Sequence, residues 1–348
     1  MTTATLPSGA PPLSRGTEPL LDEVLRLGAS DLHLDPGPAG YRARARVDGR
    51  FVPVGPPSIE GARLVNRIKV MASLLVYRSD LPQEGRMALP GGREGRVSLV
   101  PTPLGERLAV RIFDPRSELH GLGDLGFGEA ASGWIARRLS ESSGLVLVVG
   151  PAGSGKTTTL YALLREIAGL HGEFRQIVTV EDPVERHIPG CVQVEADASR
   201  DLDFASALKF LLRQDPEVLM VGEVRDAETA RIAVRAAMTG HLVLSSLHCG
   251  RAADARPRLL EMGVEPYAVD LALRGALSQR LVRKSCPACT GKGCDGCLGS
   301  GFRGRTAVGE AAGPGEERTP TLEEAAAELV LAGVTTVEEI RRVLGGRP

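Results

Sequence analysis

The chain is predicted to fold as an α/β protein whose larger domain is built on a parallel sheet and is preceded by a small α+β domain. Three observations carry this. A glycine-rich stretch, GPAGSGKTTT at 150–159, lies between a short β-branched run, LVLVVG (145–150), and a segment with helical spacing of Leu160, Leu163, Leu164 and Ile167. Three more patches, QIVTVEDPVE (176–185), DPEVLMVGEVRD (215–226) and TGHLVLSSLH (239–248), contain buried-strand runs that alternate with helical patterns at 155–170, 203–213, 226–238 and 251–262. Before residue 116 the pattern changes to short alternating strands with only two helical stretches.

Composition narrows the class. At 348 residues the chain has room for two domains and a small module. Its 43% hydrophobic and 24% charged content is that of an ordinary soluble protein. A net charge of −1 and an aromatic content of 3% supply neither a basic groove nor a stacking platform, so no nucleic-acid partner is expected. No apolar run approaches the roughly 20 residues that span a bilayer. The start, MTTATLPSGAPPLSRGTEP, has neither a basic n-region nor an apolar h-region, and residues 1–17 are expected to be a disordered tail. A cytoplasmic location follows, with the six cysteines as thiols or metal ligands.

The N-terminal domain is expected over 18–116. EPLLDEVLRLG (18–28) forms a helix ending at Gly28, and ASDLHLDP alternates Leu32 and Leu34 against Asp31, His33 and Asp35 as a strand does. YRARARVDGRFVPV is a hairpin turning at Asp48-Gly49. A helix is expected over 58–75, then strands near 86–89, 94–100 and 106–113. Arg96 and Arg111 on these strands, with Arg107 nearby, are candidates to neutralise transition-state charge at a nucleotide site. The glycine-punctuated stretch 117–128 is expected to be a linker.

The domain over 129–312 carries the chemistry. Gly150, Gly155, Lys156 and Thr157 fill the fixed places of G-x-x-x-x-G-K-[ST]. Glycines there let backbone N–H groups, including those around Gly153, Ser154 and Thr158, converge on a polyphosphate at a helix N-terminus. Lys156 is expected to reach the β- and γ-phosphates, and the Thr157 hydroxyl to ligate Mg²⁺. The pattern therefore predicts ATP-type nucleotide binding. Glu181, Asp182, Glu185 and Glu223 follow strands that converge on one sheet edge, and are candidates to orient water or hold the metal. His248 is a candidate γ-phosphate sensor, or else a structural hydrogen-bonding residue.

Cys286, Cys289, Cys294 and Cys297 form two CxxC knuckles four residues apart. Four thiolates suit a closed tetrahedral Zn²⁺ site, with an iron–sulfur centre or a dithiol pair as alternatives. Cys191 and Cys249 are read as buried small apolar residues. Residues 313–348 are expected to form two short helices, the second capped by Thr335 or Thr336.

These patches together resemble the type II secretion and type IV pilus assembly ATPases. The likeness runs from about Ala29 to Glu310 and rests on ASDLHLDP, RARVDGR, NRIKVMA, PQEGR, RVSLVPTPLGER, the phosphate loop, TVEDPVE, LRQDPEVLMVGEVRD, TGHLVLSSLH, the CxxC pair and GFRGRT. The resemblance implies a RecA-like ATPase domain after a PAS-like domain, and a homo-hexamer that turns ATP hydrolysis into rotation of an inner-membrane platform protein. It makes QIVTVEDPVE the Asp box, with Glu185 activating water, GEVRD the Walker B segment with Glu223, and TGHLVLSSLH the His box. It sends Arg96 and Arg111 into a neighbouring subunit's site. The tetracysteine element points to the assembly and secretion branch. Four departures stand out: no large first N-terminal domain, Cys249 where threonine is usual, a short loop between the knuckles and an abbreviated tail.

The expected function is Mg²⁺-dependent ATP hydrolysis by a ring motor that assembles a pseudopilus or pilus, cytoplasmic or peripheral on the inner membrane. Two alternatives are a DNA-transfer or other nucleic-acid ATPase and a nucleotide-gated scaffold with little turnover.

Overall fold

The computed structural model describes residues 18–55, 61–114, 121–171, 175–197 and 202–345, so the expected tail over 1–17 lies outside them. The chain divides into two units between Ser117 and Glu118.

The first unit holds helix α1 (Glu18–Arg26), strands β1 (Asp31–Gly37), β2 (Gly40–Val47) and β3 (Arg50–Pro53), helix α2 (Gly61–Met71), and strands β4 (Gln83–Leu89), β5 (Arg93–Thr102) and β6 (Gly105–Phe113). Its sheet is antiparallel throughout, in the order β3-β2-β1-β6-β5-β4. Asp48 and Gly49 both take positive φ (46° and 81°), the backbone that closes a two-residue hairpin with the twist of its strands. Strict alternation sends Leu32, Leu34, Val97, Leu99, Leu108 and Val110 into a core, all of them fully buried. Helices α1 and α2 cover that core with Leu21, Val24, Leu64, Val65 and Ile68. Helix α2 stops at Met71, short of the residue 75 that periodicity predicts. Ser73 adopts a φ of 57°, and the Leu74 N–H reaches back to the Lys69 carbonyl at 2.8 Å, a left-handed C-terminal cap that hydrophobic spacing does not announce.

The second unit begins with a packed segment where a linker was expected. Leu125 is buried, and Leu122 and Phe127 lie against the core of this unit. Then come α3 (Glu129–Leu139), β7 (Gly144–Val149), α4 (Lys156–His171), β8 (Ile177–Glu181), β9 (Cys191–Glu195), α5 (Phe204–Leu211), β10 (Val218–Val221), α6 (Ala227–Met238), β11 (Leu242–Leu247), α7 (Ala255–Glu261), α8 (Pro266–Ala272), β12 (Leu273–Ser285), β13 (Phe302–Ala312), α9 (Leu322–Leu331) and α10 (Val337–Leu344). The sheet runs β13-β12-β7-β11-β10-β8-β9 and is parallel except for β13 at one edge. Alternate residues of β7 face opposite cores. Val146 and Val148 meet α3 and α4 through Trp134, Ile135, Leu160 and Leu164. Leu145, Leu147 and Val149 meet α5, α6 and α8 through Leu208, Leu211, Val234 and Val269.

The C-terminal pair of helices is fastened to β12. Leu322 and Ala326 pack on Val282 and Val308. The fully buried Glu339 carboxylate accepts from the Arg283 amide (3.0 Å), the Arg283 guanidinium (2.6 Å) and Arg342 (2.6 and 2.7 Å). Burial pushes this carboxyl up, but the hydrogen bonds from Arg342 and Arg283 outweigh it and bring its pKa down to about 2. A depressed carboxyl stabilises the fold above its unfolded value near 4.5 and loses that contribution as pH falls towards about 2. Glu339→Gln is therefore expected to cost about 3 kcal/mol at neutral pH, with the gap from wild type closing over that acid window. Urea unfolding followed by the fluorescence of Trp134, the chain's single tryptophan, checks it.

Candidate functional site

The phosphate loop leaves the C-terminal end of β7 and enters α4 at Lys156. Two of its glycines are required by close neighbours. Gly155 has a φ of 89°, and a Cβ on it would stand 2.8 Å from the Gln279 amide. One on Gly150 would stand 2.6 Å from the Gln279 carbonyl. Gln279, on β12, is 2% exposed and grips the loop from both sides of its amide. Its Nε2 donates to the Ser154 carbonyl at 2.7 Å, and its Oε1 accepts from the Thr159 hydroxyl at 2.7 Å. No motif in the sequence marks this residue. Its one signal is a polar side chain inside an apolar run, ALSQRLV, which also hid strand β12.

Lys156 Nζ donates to the carbonyls of Gly150 and Pro151 at 3.0 and 3.1 Å. Burial holds its pKa below the usual lysine range, Glu223 opposing and Arg280 adding to the effect. Thr157 and Thr158 are half-buried behind it.

Strand order brings the other candidates to the same edge. Strands β8, β10 and β11 run parallel to β7 and end level with it, Val180 opposite Val221, Val221 opposite Ser245, and Leu247 opposite Val149. Ser245 and Ser246 donate to the Val221 and Gly222 carbonyls at 2.7 Å each, which sets the exit of β10 against that of β11. As a result Glu223 Oε1 lies 2.6 Å from His248 Nε2. The other oxygen of Glu223 accepts from Arg225, which also stands 3.7 Å from Asp182. Lys156, Glu223, His248, Arg225 and Asp182 thus form one electrostatic cluster. Cys249 borders it half-buried, its pKa pushed up to about 11 by burial and then by Asp254.

Glu181 does not join the cluster. Only 3% exposed, it accepts from the Thr179 hydroxyl at 2.6 Å, from Gln193 Nε2 at 3.0 Å and from the Tyr161 hydroxyl. Its side chain completes the interior between β8, β9 and α4. The strand pattern could not show this, because β9 was not foreseen. Glu185 sits half-buried on the loop after β8, its N–H donating to the Tyr161 oxygen at 3.1 Å.

In the first unit Arg96 and Arg111 are direct partners on β5 and β6, and Arg86 of β4 stands opposite Arg96. All three lie on the sheet face away from its core. Arg96 is 3.7 Å from Glu84, and Arg111 is exposed over Phe113. Arg107 is tied to Asp35 at 2.9 Å.

The four cysteine sulfurs converge to within 4.8 Å of one another. Neighbouring Sγ atoms are 3.9, 3.8 and 3.7 Å apart, where ligands about 2.3 Å from a single tetrahedral ion would stand about 3.8 Å apart. That is too far for a disulfide, whose sulfurs bond at about 2.05 Å. The amides of Gly293, Cys294 and Gly301 point at sulfur from 3.1–3.3 Å. Against the effect of burial, those of Cys294 and Gly301 bring the Cys297 thiol down to about 6.

A phosphate loop on a parallel sheet, with acidic and histidine side chains at the tips of adjacent strands, defines a RecA-like P-loop ATPase. The chain belongs to the Type II/IV secretion system protein family, whose family model matches residues 8–343. It is 40% identical to Type II secretion system protein E of Pseudomonas aeruginosa, covering 95% of this chain and 75% of that one. It is 43% identical to the type IV pilus assembly ATPase PilB of Myxococcus xanthus, over 78% of this chain and 48% of that one. Among solved structures, the pilus retraction motor PilT with bound ADP superposes with a TM-score of 0.66 at 25% identity, over 92% of this chain and 95% of that one. The Legionella pneumophila ATPase DotB shares the fold, with a TM-score of 0.74 at 20% identity over 96% and 97%. Among the described residues no helix is long and apolar enough to cross a membrane.

Proposed function

We propose that the chain is a Mg²⁺-dependent ATPase subunit of a homo-hexameric motor that drives pseudopilus or type IV pilus assembly, cytoplasmic and docked on an inner-membrane platform protein. The observation that supports this best is the alignment of four strand tips, which puts Lys156, Glu223 and His248 in one cluster beside an intact phosphate loop. Lys156 leaves its two carbonyls for the β- and γ-phosphates, and loop amides from Gly153 to Thr158 bind the polyphosphate. Thr157 would hold Mg²⁺, which would screen phosphate charge, and Glu223 and Asp182 would support the metal. Glu185 orients the attacking water. His248, bonded to Glu223, passes the loss of the γ-phosphate to the end of β11. Arg96 and Arg111 complete the site of a second copy.

Turnover per subunit against protein concentration, with assembly mass followed in parallel, tests the reading. A rate that climbs as a ring forms supports a shared-site motor. Constant turnover in dilute monomer overturns the sharing, and stimulation by single-stranded DNA favours a DNA-transfer ATPase.

The cysteine cluster is assigned to a structural Zn²⁺ ion, on the sulfur spacing and the absence of an open position. Cys289→Ser is expected to lower zinc content from about one per chain to none, and the melting temperature by roughly 5 °C or more. Native mass spectrometry and thermal unfolding read the two effects.

A further inference from the structure

The segment TTTLYALL puts a tyrosine four residues after Thr157, so both lie on one face of α4, a single turn apart. Tyr161 is 3% exposed, and a phenol that deeply buried must find partners for its oxygen. It finds two on the segment that carries Glu185. The hydroxyl donates to the Glu181 carboxylate and accepts from the Glu185 N–H at 3.1 Å. Burial and then the neighbouring Glu181 push its pKa well up, so the single proton stays on the phenol and points at Glu181. The lone pairs are left facing the Glu185 amide. Glu181 cannot swing away, because Thr179 and Gln193 hold it as well.

The same loop is fastened from its other side by β9. Gln193 donates to the Arg186 carbonyl at 2.9 Å and accepts from the Ile188 amide at 2.7 Å, while Glu195 accepts from the Val184 amide at 3.2 Å. The residues that follow β8 are therefore suspended between an edge strand and the helix that begins at the phosphate loop.

We propose that Tyr161 is a positioning residue for hydrolysis, tying the peptide of Glu185 to the P-loop helix. The carboxylate that orients water is then set against the metal ligand Thr157 by one helical turn and one hydroxyl. This rests on the role given to Glu185 above. A tyrosine that merely filled the core would leave catalysis untouched when its hydroxyl is removed.

Tyr161→Phe keeps the ring and deletes the link. Turnover is expected to fall roughly 10- to 100-fold with ATP affinity within about 2-fold, because misplacing a catalytic group by an ångström costs rate more than binding. Backbone amides at 184–188 are expected to exchange faster with solvent. The double variant Tyr161→Phe/Glu185→Gln should be no slower than Glu185→Gln alone, since the hydroxyl acts through Glu185. Multiplying losses, or wild-type turnover in Tyr161→Phe, overturn the proposal. If Glu185→Gln itself keeps full turnover, the role of Glu185 falls and amide exchange alone judges the tether: faster exchange keeps it, unchanged exchange removes it. Should Tyr161→Phe not fold, Gln193→Ala loosens the same loop from β9. Lost turnover with affinity kept supports the suspended loop, and full turnover overturns it.

Discussion

Glu185→Gln is expected to lower ATP turnover by roughly 10²- to 10⁴-fold while leaving ATP bound, the loss that follows when a group proposed to assist proton transfer from water becomes a neutral amide. The residues that hold phosphate, Lys156 and the loop amides, are untouched by the change. So is the Tyr161 bond, which involves the Glu185 backbone and not its carboxylate. Affinity measured with a fluorescent ATP analogue should therefore change little, and single-turnover rates should carry the whole effect. An equal loss of affinity and rate would move Glu185 from water activation to phosphate or metal binding.

The second large effect is a complementation. Arg111→Ala alone is expected to lower turnover by roughly 10³-fold or more, the scale of a transition-state arginine supplied by another subunit. Arg111 is exposed on the sheet face away from the core of the first unit, so its removal leaves that core packed. An equimolar mixture of Arg111→Ala and Glu185→Gln chains should regain a measurable share of activity. In a mixed ring some sites pair an intact Glu185 with an intact Arg111 from the neighbour. Mixtures no faster than the mean of the two variants would show that each subunit completes its own site.

Much of this was legible because the relevant signals are local. The phosphate loop announces itself by four fixed residues, and Asp48-Gly49 announces its hairpin. The runs at 177–180, 218–221 and 242–247 are short, largely apolar and buried at every position, as strands covered on both faces are. What stayed hidden depends on long-range pairing. Strand β12 alternates in no simple way, because it is buried on both faces yet carries Ser278, Gln279 and Arg283 for partners far away in sequence. Without β12, the grip of Gln279 on the loop could not be foreseen. Without β9, Glu181 looked like one more carboxylate at a strand tip, when Gln193 and Tyr161 claim it for the interior.

Strand β12 has a mechanical consequence. Its second half and the residue after it, 279–286, touch the nucleotide cradle through Gln279, the C-terminal helix through Arg283 and the sulfur cluster through Cys286. That stretch spans about 23 Å of extended backbone, and an extended backbone transmits a pull along its axis with little slack. The cysteine hairpin is thus a handle on the far end of a taut cord. A spectroscopic ion such as cobalt placed among its sulfurs is expected to change its absorption when nucleotide enters the cradle, and an unchanged spectrum would show that the strand carries no such pull.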